Sequence, residues 1–208
     1  MAWPRRRHGT LQPLADNLWL VEAPVPGLLA YRRQMVVVRD AQRRLLLHSV
    51  IALDDPGMAQ LEALGTPTWL VVPNGYHRLD APAYKDRYPS ISVVAPRGAV
   101  ARVQRAVRVD MTYEEFPAGA CLQLVAAPWK DAAEGVVSVQ SADGVSLLFN
   151  DLLWTPAAPA GPAACSGCCD RSRRCRGLLA ERSRGVWRGG SSYGGGSCNS
   201  PIRRGSRV

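Results

Sequence analysis

The sequence predicts a mixed α/β (α+β) domain with parallel strands in its middle, followed by a disordered C-terminal tail. Three observations carry this. The run Trp69-Leu70-Val71-Val72 is apolar without alternation, which is the pattern of a strand buried on both faces. Strand-like and helix-like runs alternate on either side of it, which is the order that builds parallel sheets. After Trp154 the composition changes abruptly and no periodic apolar pattern survives.

Taken in order, "NLWLVEA" (17–23), "QMVVVRD" (34–40) and "RLLLHSVIAL" (44–53) read as three strands. Ala41-Gln42 makes a tight connection between the second and third. Asp54-Asp55-Pro56 is an acidic cap with proline in the first turn, so a helix is expected over "PGMAQLEALG". Met58, Leu61 and Leu64 recur there at helical spacing, and Gly65 reads as its C-cap. Trp69 to Val72 returns as a strand. "LDAPAYKDRYP" fits a short helix halted at Pro89, with Asp80 as N-cap. "SISVVAP" (90–96) is a strand and "GAVARVQRAV" (98–107) a weak helix. "CLQLVAAP", "GVVSVQSADG" and "VSLLFNDLLW" supply three more strands, with Asp143-Gly144 as a hairpin turn.

Charge and cysteine divide the 208-residue chain at the same place. Residues 1–159 hold 16 Lys+Arg against 15 Asp+Glu, and residues 160–208 hold 10 Arg against 2 acids. The net charge of +9 is therefore +1 and +8, and the basicity belongs to the tail rather than to a nucleic-acid groove on the domain. Any nucleic-acid binding is expected only through that tail. Cys121 is the one cysteine before residue 160, which is not a disulfide scaffold and reads as intracellular, so a cytoplasmic location is expected. No apolar run approaches the length of a membrane span, and no membrane partner is expected. Arg5-Arg6-Arg7 reads as a solvated, frayed terminus.

The polar loop after Val72 is where chemistry is expected, because α/β proteins bind ligands beyond the carboxyl ends of their strands. It carries Asn74, Tyr76, His77, Arg78 and Asp80. No Gly-x-Ser-x-Gly phrase, phosphate loop or dinucleotide signature occurs in the domain, and Ser49 has no triad context in the sequence.

The phrases "NLWLVEAP", "QMVVVRDAQRRLLLHSVIALD", "LEALGTPTWLVVPNGYHRLDAPAYKDRYPSISVVAP" and "DGVSLLFNDLLW", in that order over most of residues 14–154, resemble the metallo-β-lactamase-fold superfamily. Within it they look like a branch known only as a domain of unknown function. The resemblance implies an αββα sandwich over residues 10–155, truncated in its second half, with its site at the sheet edge. It also implies a His-x-His-x-Asp-His metal motif after the buried strand, and here the sequence departs. Counted from Asn74, the matching positions hold Asn74, Tyr76, Arg78 and Leu79. Asn and Tyr are poor zinc ligands and an arginine cannot give up its proton. Lys130 stands where a further histidine would, and Asp151 matches the bridging carboxylate. His48, His77, Asp80 and Asp151 are the remaining candidates for a single zinc or iron ion, with Asn74, Tyr76 and Lys130 lining the pocket. The alternative places His48 in a core hydrogen bond and uses His77 and Asp80 to cap the next helix. The function implied is hydrolase-like, on an unknown small molecule, with weak or absent activity. A non-catalytic binding or scaffold protein on the same fold is the other reading.

The tail, 156–208, admits three readings: a natural disordered segment, a zinc module around Cys165-x-x-Cys168 and Cys175, or the product of a shifted reading frame in a GC-rich gene. The last would leave the sandwich unfinished and its apolar edge open.

Overall fold

A computed structural model of the protein describes residues 3–117, 119–127 and 131–151, and the backbone of 186–189. Seven strands form the first sheet, in chain order: β1 (Gln12–Ala15), β2 (Leu18–Val25), β3 (Leu28–Arg39), β4 (Arg44–His48), β5 (Thr66–Val71), β6 (Ser92–Ala95) and β7 (Met111–Thr112). β1 to β4 pair antiparallel, and β4 to β7 pair parallel. The second sheet is antiparallel, in the order β11-β10-β9-β8, from β8 (Leu122–Ala126), β9 (Gly135–Ser141), β10 (Gly144–Leu148) and β11 (Val186–Gly189). Three α-helices, α1 (Asp55–Leu64), α2 (Ala81–Arg87) and α3 (Val100–Val103), and two single-turn 3-10 helices, Arg97–Ala99 and Tyr113–Glu115, complete the described elements.

Period-two alternation in the first sheet divides the core in two. Met35, Val37, Leu45, Leu47 and Leu70 face the helices, meeting Met58, Leu61, Tyr84 and Val103. Val36, Val38, Leu46, Trp69 and Val71 face the second sheet, meeting Leu122, Val137, Val139 and Leu148. Each such fully buried side chain contributes about 1.5–3 kcal/mol. The architecture is the mixed α/β sandwich that the sequence predicts, and β5 lies inside the sheet between β4 and β6. The described residues supply three of the four layers of an αββα sandwich, helices on sheet on sheet. No described helix is long and apolar enough to cross a membrane.

Several local expectations are corrected. The third strand ends at His48 rather than Leu53, because Ser49 takes a left-handed conformation (φ 55°) and turns the chain. Val50 to Leu53 are buried without being strand. Their backbone groups are satisfied from outside the sheet. Leu53 O accepts from Trp3 Nε1 (2.7 Å), Ala52 O from Arg6 N (2.6 Å) and Ile51 O from the Tyr84 hydroxyl (2.8 Å). The N-terminus is therefore not frayed: residues 3–8 are bound along this segment, with Arg5 paired to Asp55 and Arg6 to Asp80. Asp54 caps α1 by accepting from Gly57 N, as expected, but Asp80 sits at the N-cap of α2 without capping it. The β9–β10 turn is centred on Ala142-Asp143, one residue earlier than expected.

The tail is not wholly separate from the domain. Val186–Gly189 pairs antiparallel with β10, in register with Leu148 to Val145. The edge of β10 offers unpaired backbone groups, and a β-prone Val-Trp pair can take them. The remaining tail readings lie outside the described residues. Cys121 is disulfide-bonded, a bond the sequence reading did not anticipate; every other cysteine lies outside the described residues.

The junction between α1 and β5 is sterically closed. A Cβ on Gly65 would lie 2.0 Å from Arg43 O and 2.9 Å from the Arg43 carbonyl carbon. Arg43 O also accepts from Thr66 N, so it cannot move freely. Gly65→Ala is expected to cost about 1–3 kcal/mol through overpacking alone, read as a lower urea midpoint.

Candidate functional site

The site forms where the loop after β5 meets the C-terminal end of β4 and the segments flanking β9 and β10. Asn74 organises it and is buried. Its Oδ1 accepts from Tyr76 N (2.8 Å) and His77 N (3.2 Å), which folds the loop back on itself as an Asx turn. Its Nδ2 donates to Asp151 Oδ2 (2.8 Å) and Glu134 Oε1 (3.3 Å). Glu134 Oε1 also accepts from Asp151 N (2.7 Å), so the carboxylate of one segment fixes the backbone of the other. A carboxamide can do this because its oxygen accepts two bonds and its nitrogen donates two; a neutral imidazole has only one donor and one acceptor, and a carboxylate only accepts.

His77 projects from this loop. Its Nδ1 lies 2.9 Å from Ser49 Oγ and its Nε2 lies 3.6 Å from Asp151 Oδ2. His48, at the end of β4, is 2% exposed, and its Nε2 has no partner among the described residues. Burial first, and the proximity of His77 second, lower its pKa from 6.5 to about 3, so His48 is neutral at any ordinary pH.

Beside this cluster is a cleft of about 340 Å³, whose walls include Asn74, Tyr76, Arg102, Glu134 and Asp151. Tyr76 is 70% exposed and the Arg102 guanidinium stacks 3.9 Å from its ring centroid. Arg78 donates to Arg102 O, tying the loop to the end of α3.

The four candidate ligands divide between two places. His77 lies beside His48 on one side and 3.6 Å from Asp151 on the other. Asp80 belongs to a different cluster, where it accepts from Arg6 Nε (2.9 Å), Arg33 Nη2 and Ala52 N (3.2 Å). Lys130 lies outside the described residues, whereas Asn74 and Tyr76 do line the cleft. A resident metal needs three or more converging donors. Among the described residues no group of three His, Cys, Asp or Glu side chains is so placed. The orphaned Nε2 of His48 is a single donor, so the described residues do not by themselves fit a zinc or iron ion. Sequence reasoning missed three participants: Ser49, Glu134 and Arg102. Ser49 had one signal, its position immediately after a buried histidine at a strand end; Glu134 and Arg102 had none, since only the fold carries them to Asn74.

No protein-family model matches the chain and no curated protein matches it. Solved structures similar to it include the metallo-β-lactamase FIM-1 from Pseudomonas aeruginosa in its mono-zinc form, at 11% identity and a TM-score of 0.41. The DIM-1 metallo-β-lactamase is similar at 12% identity and 0.41, and a metallo-β-lactamase from Pontibacter korlensis at 10% and 0.40. These similarities cover 70%, 69% and 69% of this chain, and 66%, 66% and 67% of those. The chain thus spans just under two thirds of the length of the first two. The chemistry of this chain rests on the residues described above.

Proposed function

We propose that the chain is a hydrolase-like domain of the metallo-β-lactamase fold, of the branch known only as a domain of unknown function, in which a hydrogen-bonded scaffold stands where a metal centre would be. Metal-dependent hydrolysis is then weak or absent. The observation that carries this is Asn74. It occupies the first position of the expected metal motif and spends both ends of its carboxamide on Tyr76, His77, Glu134 and Asp151. Those bonds hold the loop without an ion. The cleft favours a second reading, a domain that binds a small molecule without turning it over, since an exposed Tyr76 backed by Arg102 suits a flat or anionic ligand.

The test is metal analysis of the purified full chain after dialysis against buffer containing trace zinc and iron. Less than ~0.1 equivalent is expected. Stoichiometric zinc or iron that disappears in His77→Ala would overturn the reading.

A further inference from the structure

We propose that Ser49 is an acylatable nucleophile, with His77 as its base and Asp151 as the group that orients the base, and that the site takes small acyl esters. This goes beyond the reading above and needs no metal. Two independent observations support it. The first is the line of groups itself: Ser49 Oγ hydrogen-bonded at 2.9 Å to His77 Nδ1, and Asp151 Oδ2 at 3.6 Å from the other ring nitrogen. Nucleophile, base and orienting carboxylate in this order are recognised by geometry and not by position in the chain. An imidazole can use either nitrogen toward the hydroxyl. Here the Nε2–H tautomer places its proton toward Asp151 and leaves Nδ1 to accept from the Ser49 hydroxyl. The contact to Asp151 is longer than a hydrogen bond, as such contacts are before substrate tightens them. Asp151 is itself held, by Asn74 Nδ2 and through its backbone by Glu134.

The second observation is backbone strain. Among the described non-glycine residues with positive φ, namely Arg5, Arg43, Ser49, Asp131 and Ala132, only Ser49 is buried. A serine held at φ 55° at the end of a parallel strand costs free energy that the surroundings must offset, and such strain gathers at functional positions. Here the turn aims Oγ at the loop that bears His77. His48, neutral and buried beside the pair, places no competing charge there.

The step balances without any further reactant than water. Ser49 Oγ attacks the ester carbonyl carbon and passes its proton to His77 Nδ1. The carbon–oxygen bond to the leaving alcohol breaks as His77 returns that proton to the departing oxygen. Water then attacks the acyl-serine, giving its proton to His77, and the carboxylic acid leaves as Oγ is reprotonated. Ser49 is 3% exposed and the His77 side chain 22%, which restricts the acyl group to a small one and excludes peptides and polysaccharides. The adjoining cleft shares Asp151 with this line of groups.

The test treats the full chain with p-nitrophenyl acetate in the presence of a chelator. A burst of p-nitrophenol is expected, together with a mass gain of one acetyl group that peptide mapping locates on Ser49. Ser49→Gly is the informative variant. Glycine accepts φ 55° without strain, so the fold persists, checked by its melting curve, while the nucleophile is gone. It should show no burst. His77→Gln should slow acylation by ~10²–10⁴-fold, the usual contribution of a general base. Asp151→Asn should lower the first-order acylation rate constant while leaving the half-saturating ester concentration unchanged. Acetyl groups found only on lysines, a burst that persists in folded Ser49→Gly, or acylation that requires added metal would each overturn the proposal.

Discussion

Asp80→Ala is expected to cost about 3–5 kcal/mol, the penalty for removing one partner of a buried ion pair. The Asp80 side chain is fully buried and its two oxygens serve two guanidiniums and the backbone N–H of Ala52. The cost falls unequally on what is left behind. Arg6 is 30% exposed and can turn to water, so it loses little. Arg33 is 10% exposed, its Nε already has no partner among the described residues, and its remaining contact is a long one of 3.5 Å to Val50 O. Without Asp80 it is a buried charge with no counterion. The same deletion removes the bonds from Asp80 to Arg6 of the N-terminal segment and to the backbone of Ala52. Urea unfolding should show a lower midpoint with the slope unchanged, and Arg6→Ala should show a much smaller shift. A variant pair, Asp80→Leu with Arg33→Met, should recover most of the loss, because replacing both charges removes the desolvation cost. An Asp80→Ala protein within 1 kcal/mol (~0.7 pKa units of equivalent free energy) of the parent would show that Arg33 finds another partner.

The sequence was a good guide wherever apolar period decided the outcome. β2 to β6 and β8 to β10 follow from runs such as Gln34 to Arg39 and Trp69 to Val72, and α1 follows from Met58, Leu61 and Leu64 with Asp54 ahead of them. It failed where long-range polar contacts override local preference. Ser49 to Leu53 continue an apolar run, yet the strand stops, because Trp3, Arg6, Tyr84 and Asp80 satisfy that backbone instead of a neighbouring strand. Arg5 and Arg6 looked solvated because their partners, Asp55 and Asp80, lie 50 and 74 residues away. β1 and β7 are short, with four and two residues, and their exposed or half-buried positions give no pattern to read. The site divides the same way. Asn74, Tyr76, His77 and Asp151 were legible as a loop and a strand end that the fold brings together. The partnership of Ser49 with His77 was not, since they are 28 positions apart and no spacing rule links the end of one strand to the loop after the next.

Acid should destabilise this protein through His48 before its carboxylates respond. The imidazole is buried, so charging it inside the fold is unfavourable, and the nearby His77 adds to that cost. Its pKa is about 3 in the folded chain against 6.5 when exposed. The folded value is the lower one, so above pH 6.5 both states hold the neutral ring and His48 contributes no pH dependence. Below 6.5 the unfolded chain takes up a proton that the folded chain refuses, and stability falls by about 1.4 kcal/mol per pH unit until the folded pKa is reached. The loss at pH 5 relative to pH 8 is then about 2 kcal/mol from this residue alone. His48→Leu isolates it, because every other titrating group remains. The Nε2 of His48 has no partner among the described residues to lose, so the variant should match the parent at pH 8. It should be more stable than the parent at pH 5, with the two urea midpoints separating steadily between pH 6.5 and 4. Parallel curves for the two proteins over that range would mean that His48 ionises within the fold, with a counterion close enough to offset its burial.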